Sequence, residues 1–148
     1  MKIGGHCVLF GPAIKEDTAG TLGKLVFAGA EGCELGERFF GLEARDQLIA
    51  ELNEQHIELA GLHCNGLSLP DLLHDPEKAR AALRKTAEFV APLKNKNVIA
   101  TGMTGDPMDV MNAQLLTAGS PNPELHDPEK VKTIARNLNT IVKEIKDE

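Results

Sequence analysis

Segments typical of buried strands alternate with segments typical of helices along the chain, and this order restricts the fold more than any other feature. Short apolar runs bounded by Gly or Pro predict strands, and apolar residues spaced three and four apart predict helices. The predicted strands are Lys2–Phe10, Gly32–Gly36, Ile57–Cys64 and Asn97–Met103. The predicted helices are Asp17–Ala30, Glu43–Gln55, Pro76–Leu93 and Pro128–Lys146. Four β/α units in succession predict an α/β fold whose parallel sheet has right-handed crossovers.

The composition predicts one globular domain, 1–148, without a nucleic-acid or membrane partner. The chain carries a formal net charge of −6 and contains five Phe but no Trp or Tyr. An acidic chain without a basic patch or stacking aromatics does not suit a phosphate backbone. It also lacks an export signal and an apolar stretch of the roughly 18 residues that a membrane helix needs. Three Cys cannot all pair, so we expect reduced, buried thiols in a cytoplasmic protein.

One hexapeptide, Leu-His-Asp-Pro-Glu-Lys, occurs twice, at 73–78 and at 125–130. Each copy stands at the start of a long predicted helix. Asp suits the N-cap, Pro the first helical position, and Glu the first turn beside the helix dipole. We therefore interpret both copies as helix starts and not as catalytic His-Asp pairs.

The three Cys have polar neighbours that predict two different faces of the sheet. His6 precedes Cys7, His63 precedes Cys64, and Glu34 follows Cys33. Because side chains alternate along a strand, one face is predicted to carry the His and Glu side chains and the other the thiols. Two imidazoles and one carboxylate can hold a divalent metal ion with open coordination positions. The alternative is that these polar groups are satisfied within the sheet interior or at its rim.

Two further candidates lie near the ends of predicted strands, at the edge where parallel α/β proteins bind ligands. Asn65 comes directly after the third strand, and Thr101 lies near the end of the fourth. The segment Thr101–Asp106 resembles a turn that holds an anion through backbone N–H groups and hydroxyls. It lacks the Lys of a P-loop, so an ordinary turn between strand and loop is the alternative.

Three short motifs carry a resemblance to a known family. Lys2-Ile3-Gly4 opens the chain, Gly32-Cys33-Glu34-Leu35 lies in the second strand, and Leu62-His63 closes the third. In this order they resemble the xylose isomerase-like TIM-barrel superfamily, which includes sugar-phosphate isomerases and epimerases and endonuclease-IV-type enzymes. The resemblance, which runs from Met1 to about Met103, implies a (β/α)4 half of a TIM barrel with helices on the outer face. The family's metal ligands and proton-moving carboxylates come mainly from strands five to eight, which are not among these four.

The resemblance also implies roles for the candidate residues. His63 and Glu34 are expected to be catalytic: His63 as a proton shuttle or hydrogen-bonding group, and Glu34 as a base or as the group that orients a hydroxyl. His6 has no firm counterpart in the family; it, Asn65 and Thr101 are expected to contact the substrate because of their places in the predicted sheet. The expected reaction is metal-assisted proton transfer next to the carbonyl of a sugar or sugar phosphate, with Mn²⁺, Mg²⁺, Co²⁺ or Zn²⁺ as the candidate cofactor. In the endonuclease branch the His equivalent to His63 is a metal ligand, but the acidic charge argues against that branch.

Half a barrel would leave two sheet edges and its apolar core positions open to water. We therefore expect a homodimer or a complementary half-barrel partner. A competing hypothesis is a non-catalytic half-barrel scaffold, or a truncated relative, that binds a partner half or a small molecule. The lack of an acidic metal-binding cluster after Met103 favours it. A third, a flavodoxin-like small-molecule binder, would need an anion at Thr101–Asp106.

Overall fold

A computed structural model describes residues 3–10, 13–36, 44–100 and 127–147. The described strands form one parallel sheet in the order β1-β2-β3-β4. The strands are β1 Gly4–His6, β2 Gly32–Gly36, β3 Glu58–Cys64 and β4 Val98–Ala100. The helices are a 3-10 helix at Cys7–Phe10, α1 Ala13–Glu16, α2 Thr18–Phe27, α3 Arg45–Glu54, α4 Leu69–His74, α5 Pro76–Val90 and α6 Pro128–Asp147. This confirms an α/β architecture with a parallel sheet.

The predicted strands and long helices agree with the structure to within a few residues, except at the start of the chain. The last three residues of the predicted strand Asn97–Met103 lie outside the described residues. The strand predicted at Lys2–Phe10 is wrong beyond His6, because Cys7–Phe10 forms a 3-10 helix. An apolar run without alternation fits a buried helical turn as well as a strand, so the pattern alone did not separate them. The short helix α4 was missed, although Ser68 caps it by accepting a hydrogen bond from the Asp71 amide at 3.0 Å. The turn predicted at Thr101–Asp106 lies outside the described residues.

The chain divides into two compact units, which share α5 between them. The first contains Met1–Cys64 and Thr86–Ile99, and therefore all of β1, β2 and β3. The second contains Asn65–Lys85 and Ala100–Glu148.

The core of the first unit lies on one face of the sheet. Because successive strands are neighbours and crossovers are right-handed, α2 and α3 are placed on the same side. Their apolar side chains and the end of α5 form one buried cluster with the sheet. It includes Leu22, Leu25, Leu48, Leu52, Phe89 and Val90 from the helices and Cys33, Leu35, Leu59 and Leu62 from the strands.

The strand β3 contains one residue more than β2 opposite it, and that extra residue is Ala60. Leu59 pairs with Cys33, whereas Gly61 pairs with Glu34, the next residue of β2. Such a bulge interrupts the two-residue alternation of a strand.

The bulge decides which face His63 occupies. Leu59 and Leu62 are three residues apart, yet both lie in the core, with 6% and 0% of their surface exposed. In an uninterrupted strand Leu59 and His63 would share a face, because they are four residues apart. The extra residue turns His63 to the face that carries Glu34, away from the helices.

The second unit contains α4, the start of α5 and α6, and both copies of the repeated hexapeptide start helices there, as predicted. The helices α5 and α6 begin at Pro76 and Pro128. Asp75 accepts a hydrogen bond from the Lys78 amide at 3.2 Å, and Asp127 accepts one from the Glu129 amide at 2.9 Å. Both Asp residues therefore cap helices, as the sequence predicts.

Side chains of α6 also bind α4 and α5 within the second unit. The Asn137 amide donates to the Leu72 carbonyl at 2.7 Å, and Arg80 pairs with Glu144 at 2.9 Å. Among the described helices, none combines the length and the apolar character needed to cross a membrane.

Candidate functional site

Three polar side chains from three adjacent strands converge on the face of the sheet opposite the helices. His6 is the last residue of β1 and pairs with Glu34 of β2. His63 stands one residue before the end of β3 and pairs with Gly36. Ligands in parallel α/β proteins bind at this carboxyl edge of the sheet. The structure thus brings together the three residues that the alternation of side chains selects.

The distances within the triad, as we call His6, Glu34 and His63, are short. The two Nε2 atoms of His6 and His63 lie 2.9 Å apart. His63 Nε2 lies 3.2 Å from Glu34 Oε2, and His6 Nε2 lies 3.9 Å from the same oxygen. The two rings meet edge to face, with centroids 4.6 Å apart. Each residue therefore places one potential ligand atom within 4 Å of the other two.

These three distances fit the size of a divalent metal ion. The point equidistant from the two Nε2 atoms and Oε2 lies about 2.0 Å from each of them, the length of a zinc–nitrogen bond. Two of the separations, 2.9 and 3.2 Å, are close to the roughly 3.3 Å between neighbouring ligands of a tetrahedral zinc ion, whereas the third, 3.9 Å between His6 Nε2 and Glu34 Oε2, is wider. The donor set, two imidazoles and one carboxylate, is one that proteins use for catalytic metals.

Hydrogen bonding alone serves the triad poorly. A ring Nε2 holds either one hydrogen or one lone pair, and an ionised carboxylate only accepts. If His63 Nε2 carries a hydrogen, that single hydrogen must serve both His6 and Glu34. If it carries the lone pair, it faces the Glu34 oxygen as one acceptor against another. A cation at the central point engages all three acceptor atoms at once.

The triad is open on one side. The His63 side chain is only 12% exposed, whereas His6 and Glu34 are 39% and 41% exposed. Gly4 and Gly32 pair beside them on the same face. A Cβ atom on Gly4 would have its nearest neighbour at 3.5 Å, so the glycine leaves usable space there. A small ligand can therefore reach the triad along the backbone of β1 and β2.

The thiols lie on the helix-covered face, as the sequence predicts. Cys7, Cys33 and Cys64 are buried thiols that form no disulfide with one another. A hydrogen bond with Cys7 together with burial raises the pKa of the Cys33 thiol, which stays protonated at neutral pH. A buried, protonated thiol is a poor nucleophile. The same hydrogen bond lowers the pKa of the Cys7 thiol, while burial raises it. All three thiols are buried, and we interpret them as packing residues.

The remaining predicted site residues fall outside the triad. Asn65 lies in the turn after β3 and belongs to the second unit. Thr101 lies outside the described residues. The sequence analysis missed the bulge at Ala60, although the step from Leu59 to Leu62 in an otherwise two-residue apolar period was its signal.

A cavity of 210 Å³ in the first unit lies at the other end of β3. It is lined by the start of that strand, by α3 and by the segment before β4, including Leu52, Ile57, Leu93 and Lys94. The amino ends of parallel strands are not where such sheets bind ligands. The triad, and not this cavity, is the candidate site.

No protein-family model, curated protein or solved structure matches this chain.

Proposed function

We propose that this chain is a metal-dependent isomerase or epimerase of small hydroxylated carbonyl compounds, such as sugars or sugar phosphates, and that the triad binds its metal ion. The observation that carries the proposal is the convergence of His6 Nε2, His63 Nε2 and Glu34 Oε2 around a point about 2.0 Å from each. The reaction class follows from the resemblance of the first three strands to sugar isomerases.

The chemistry of the ligand atoms narrows the candidate metals. Mg²⁺ prefers oxygen ligands and near-octahedral geometry, whereas imidazole nitrogen suits Zn²⁺, Co²⁺ and related transition metals. Two nitrogens and one oxygen therefore favour Zn²⁺ or Co²⁺, with Mn²⁺ next and Mg²⁺ last. A divalent ion bound at this place supplies Lewis-acid polarisation of a carbonyl oxygen, which acidifies the neighbouring C–H bond.

Ligation defines what the triad residues do in this proposal. A ring nitrogen whose lone pair binds a cation cannot accept a proton at the same atom. The catalytic role of His63 and Glu34 is then to hold the ion, with His63 as the most deeply buried anchor. The base that removes the substrate's proton and returns it to the adjacent carbon, or to the other face of the same carbon, is a separate group.

The order of the strands supports a half-barrel for this proposed enzyme. Sequential neighbours with helices on one face are the arrangement of one half of a (β/α)8 barrel. In that arrangement the triad lies on the face that lines the barrel interior. Pairing of two such sheets would close the barrel, so we propose that the active form is a homodimer or a complex with a complementary half.

Metal titration tests the proposed site. Chelator-treated protein is titrated with Zn²⁺ or Co²⁺ in a calorimeter, and we expect one ion per chain. His63→Ala removes the anchor, and we expect at least about a 100-fold loss of affinity, because even indirect partners of metal ligands are worth 10- to 100-fold. His74→Ala is the matched control, since His74 is exposed and lies at the end of α4. Absence of binding, or equal binding by the two variants, would refute the metal site.

Deuterium exchange tests the reaction class with the same metal-loaded protein. Sugars and sugar phosphates are incubated in D₂O, and proton NMR follows the C–H next to the carbonyl. We expect exchange with wild-type protein and none with His63→Ala. If the protein binds metal but catalyses no exchange on any such substrate, the metal-site hypothesis stands and the isomerase hypothesis is refuted.

The oligomeric state tests barrel closure. Light scattering on a size-exclusion column is expected to give a mass near twice 15.9 kDa. A folded monomer would contradict closure of the barrel by a second copy. The half-barrel proposal would then require a different chain as the complementary half.

A further inference from the structure

A single residue outside the triad binds both the bulged residue of β3 and the residue directly before His63. The Asn97 side-chain amide donates to the Ala60 carbonyl at 2.9 Å. The backbone carbonyl of Asn97 accepts a hydrogen bond from the Leu62 amide at 3.0 Å. Ala60 and Leu62 lie on either side of Gly61, so Asn97 spans the irregular part of β3 immediately before His63.

A second Asn, Asn95, also binds the backbone of β3 near the bulge, and we call Asn95 and Asn97 together the clamp. The Asn95 amide donates to the Leu59 carbonyl at 3.2 Å, one residue before the bulge. A bulged residue leaves the regular ladder, so its neighbouring backbone groups need other partners. Here the partners are the side chains of the two Asn residues that lead into β4.

The clamp matters because the spacing of the core residues alone does not fix the position of the bulge before His63. Leu59 and Leu62 on the core face demand one extra residue between them, and this sets the face of His63. They do not determine whether Ala60 or Gly61 is the extra residue. Gly61 has the backbone freedom to take that place. If Gly61 became the extra residue, the peptide that leads into His63 would be altered. A metal site tolerates errors of only about 0.2 Å in ligand distance, so such a change would disturb the triad.

We infer that Asn97 is a positioning residue of the triad: its side-chain amide fixes the bulge at Ala60 and so holds His63 Nε2 at the distance that His6 and Glu34 require. The effect of Asn97 on metal affinity rests on the proposed metal site, whereas its hydrogen bonds to β3 do not depend on that proposal. Asn97 does not touch the proposed ion. It acts through the backbone of β3.

The test is the variant Asn97→Ala, which removes the amide and leaves the backbone hydrogen bond to Leu62 in place. The Asn97 side chain is exposed, so truncation leaves no cavity. We expect Zn²⁺ or Co²⁺ affinity to fall about 10-fold, the lower end of the effect of indirect partners of metal ligands. We also expect the visible absorption spectrum of bound Co²⁺ to change, since it reports ligand geometry. Asn97→Gln keeps an amide donor and should recover part of the affinity.

A matched control separates positioning from a general loss of stability. Asn137→Ala removes the same kind of bond, from an Asn amide to the Leu72 carbonyl at 2.7 Å, within the second unit. We expect its metal affinity and Co²⁺ spectrum to equal those of the wild-type protein. If Asn97→Ala also equals wild type, the inference is wrong. If both variants lose affinity alike, the effect is one of stability, and the inference is again wrong.

A metal-free measurement distinguishes failure of this inference from failure of the proposed function. The His6 and His63 rings are 4.6 Å apart between centroids, close enough for a nuclear Overhauser effect between their ring protons. We expect that signal to weaken in Asn97→Ala and to persist in Asn137→Ala. A protein that binds no metal but shows this difference would refute the metal site and retain Asn97 as the residue that positions His63. An unchanged signal in Asn97→Ala would refute the positioning role, whatever the metal does.

Discussion

The two faces of the sheet in the first unit differ in what they bury and in what they expose. On the helix-covered face, Cys33, Leu35 and Leu62 have no exposed surface. On the other face, His6 and Glu34 keep 39% and 41% of their side chains exposed, although each is adjacent in sequence to a buried Cys. Residues that are adjacent in the sequence therefore serve different purposes.

The comparison indicates where stability and chemistry reside. Burial of apolar surface on the helix-covered face is the dominant favourable term in folding. The open face instead brings three potential ligand atoms within 4 Å of one another on partly exposed side chains. Substitutions on the first face should therefore change the free energy of unfolding, and substitutions on the second should change ligand binding.

The largest expected effect on the covered face comes from Leu62→Ala. Truncating a fully buried Leu removes apolar contacts and leaves a cavity, so we expect the free energy of unfolding to fall by about 2–5 kcal/mol. Urea denaturation followed by far-ultraviolet circular dichroism measures it, since the chain has no Trp for fluorescence. A chelator keeps bound metal from contributing to the measured stability.

Glu34→Gln is the corresponding control on the open face. It replaces the carboxylate by an amide of the same shape on a partly exposed side chain, and we expect the metal-free protein to change by no more than about 0.5 kcal/mol. A cost similar to that of Leu62→Ala would contradict the division of roles between the faces.

The sequence predicted the two faces because alternation is a local rule. His6, Glu34 and His63 each adjoin a Cys in an apolar run, and the structure brings the three together. The bounds of β2 and the starts of α2, α5 and α6 were also predictable, because Gly, Pro and capping Asp residues act on the adjacent backbone. Both copies of the hexapeptide illustrate this.

The supports of the site were not predictable in the same way. The 3-10 helix at Cys7–Phe10 has the composition of a strand. Asn97 gives no local signal, because its partner Ala60 is 37 residues away in the chain. Hydrogen bonds between distant segments depend on register, and register is set only when the whole sheet is packed. The residues that carry the ligand atoms could therefore be predicted from the sequence, whereas the residue that positions them could not.

The smaller expected effect comes from two adjacent glycines of β1 that lie on opposite faces. A Cβ on Gly5 would lie 2.6 Å from Leu25 Cδ2 of α2, whereas a Cβ on Gly4 would meet its nearest atom, the Gly32 carbonyl oxygen, at 3.5 Å. Gly5→Ala must push the helix or the Leu side chain outward, and we expect a loss of about 1–3 kcal/mol in the free energy of unfolding. Gly4→Ala should be neutral within about 0.5 kcal/mol, because an exposed strand position gains from losing glycine's backbone freedom.

Urea denaturation of both glycine variants in the same buffer makes the comparison direct. If both glycine substitutions cost the same free energy of unfolding, the open face must be packed in solution, either by this chain or by a second one. The concentration dependence of the Gly4→Ala cost would then identify the cause. A second copy of the chain makes stability rise with protein concentration, whereas packing within one chain does not. The substitution that should matter least thus reports on whether the face with the triad is open to a substrate or covered by a partner.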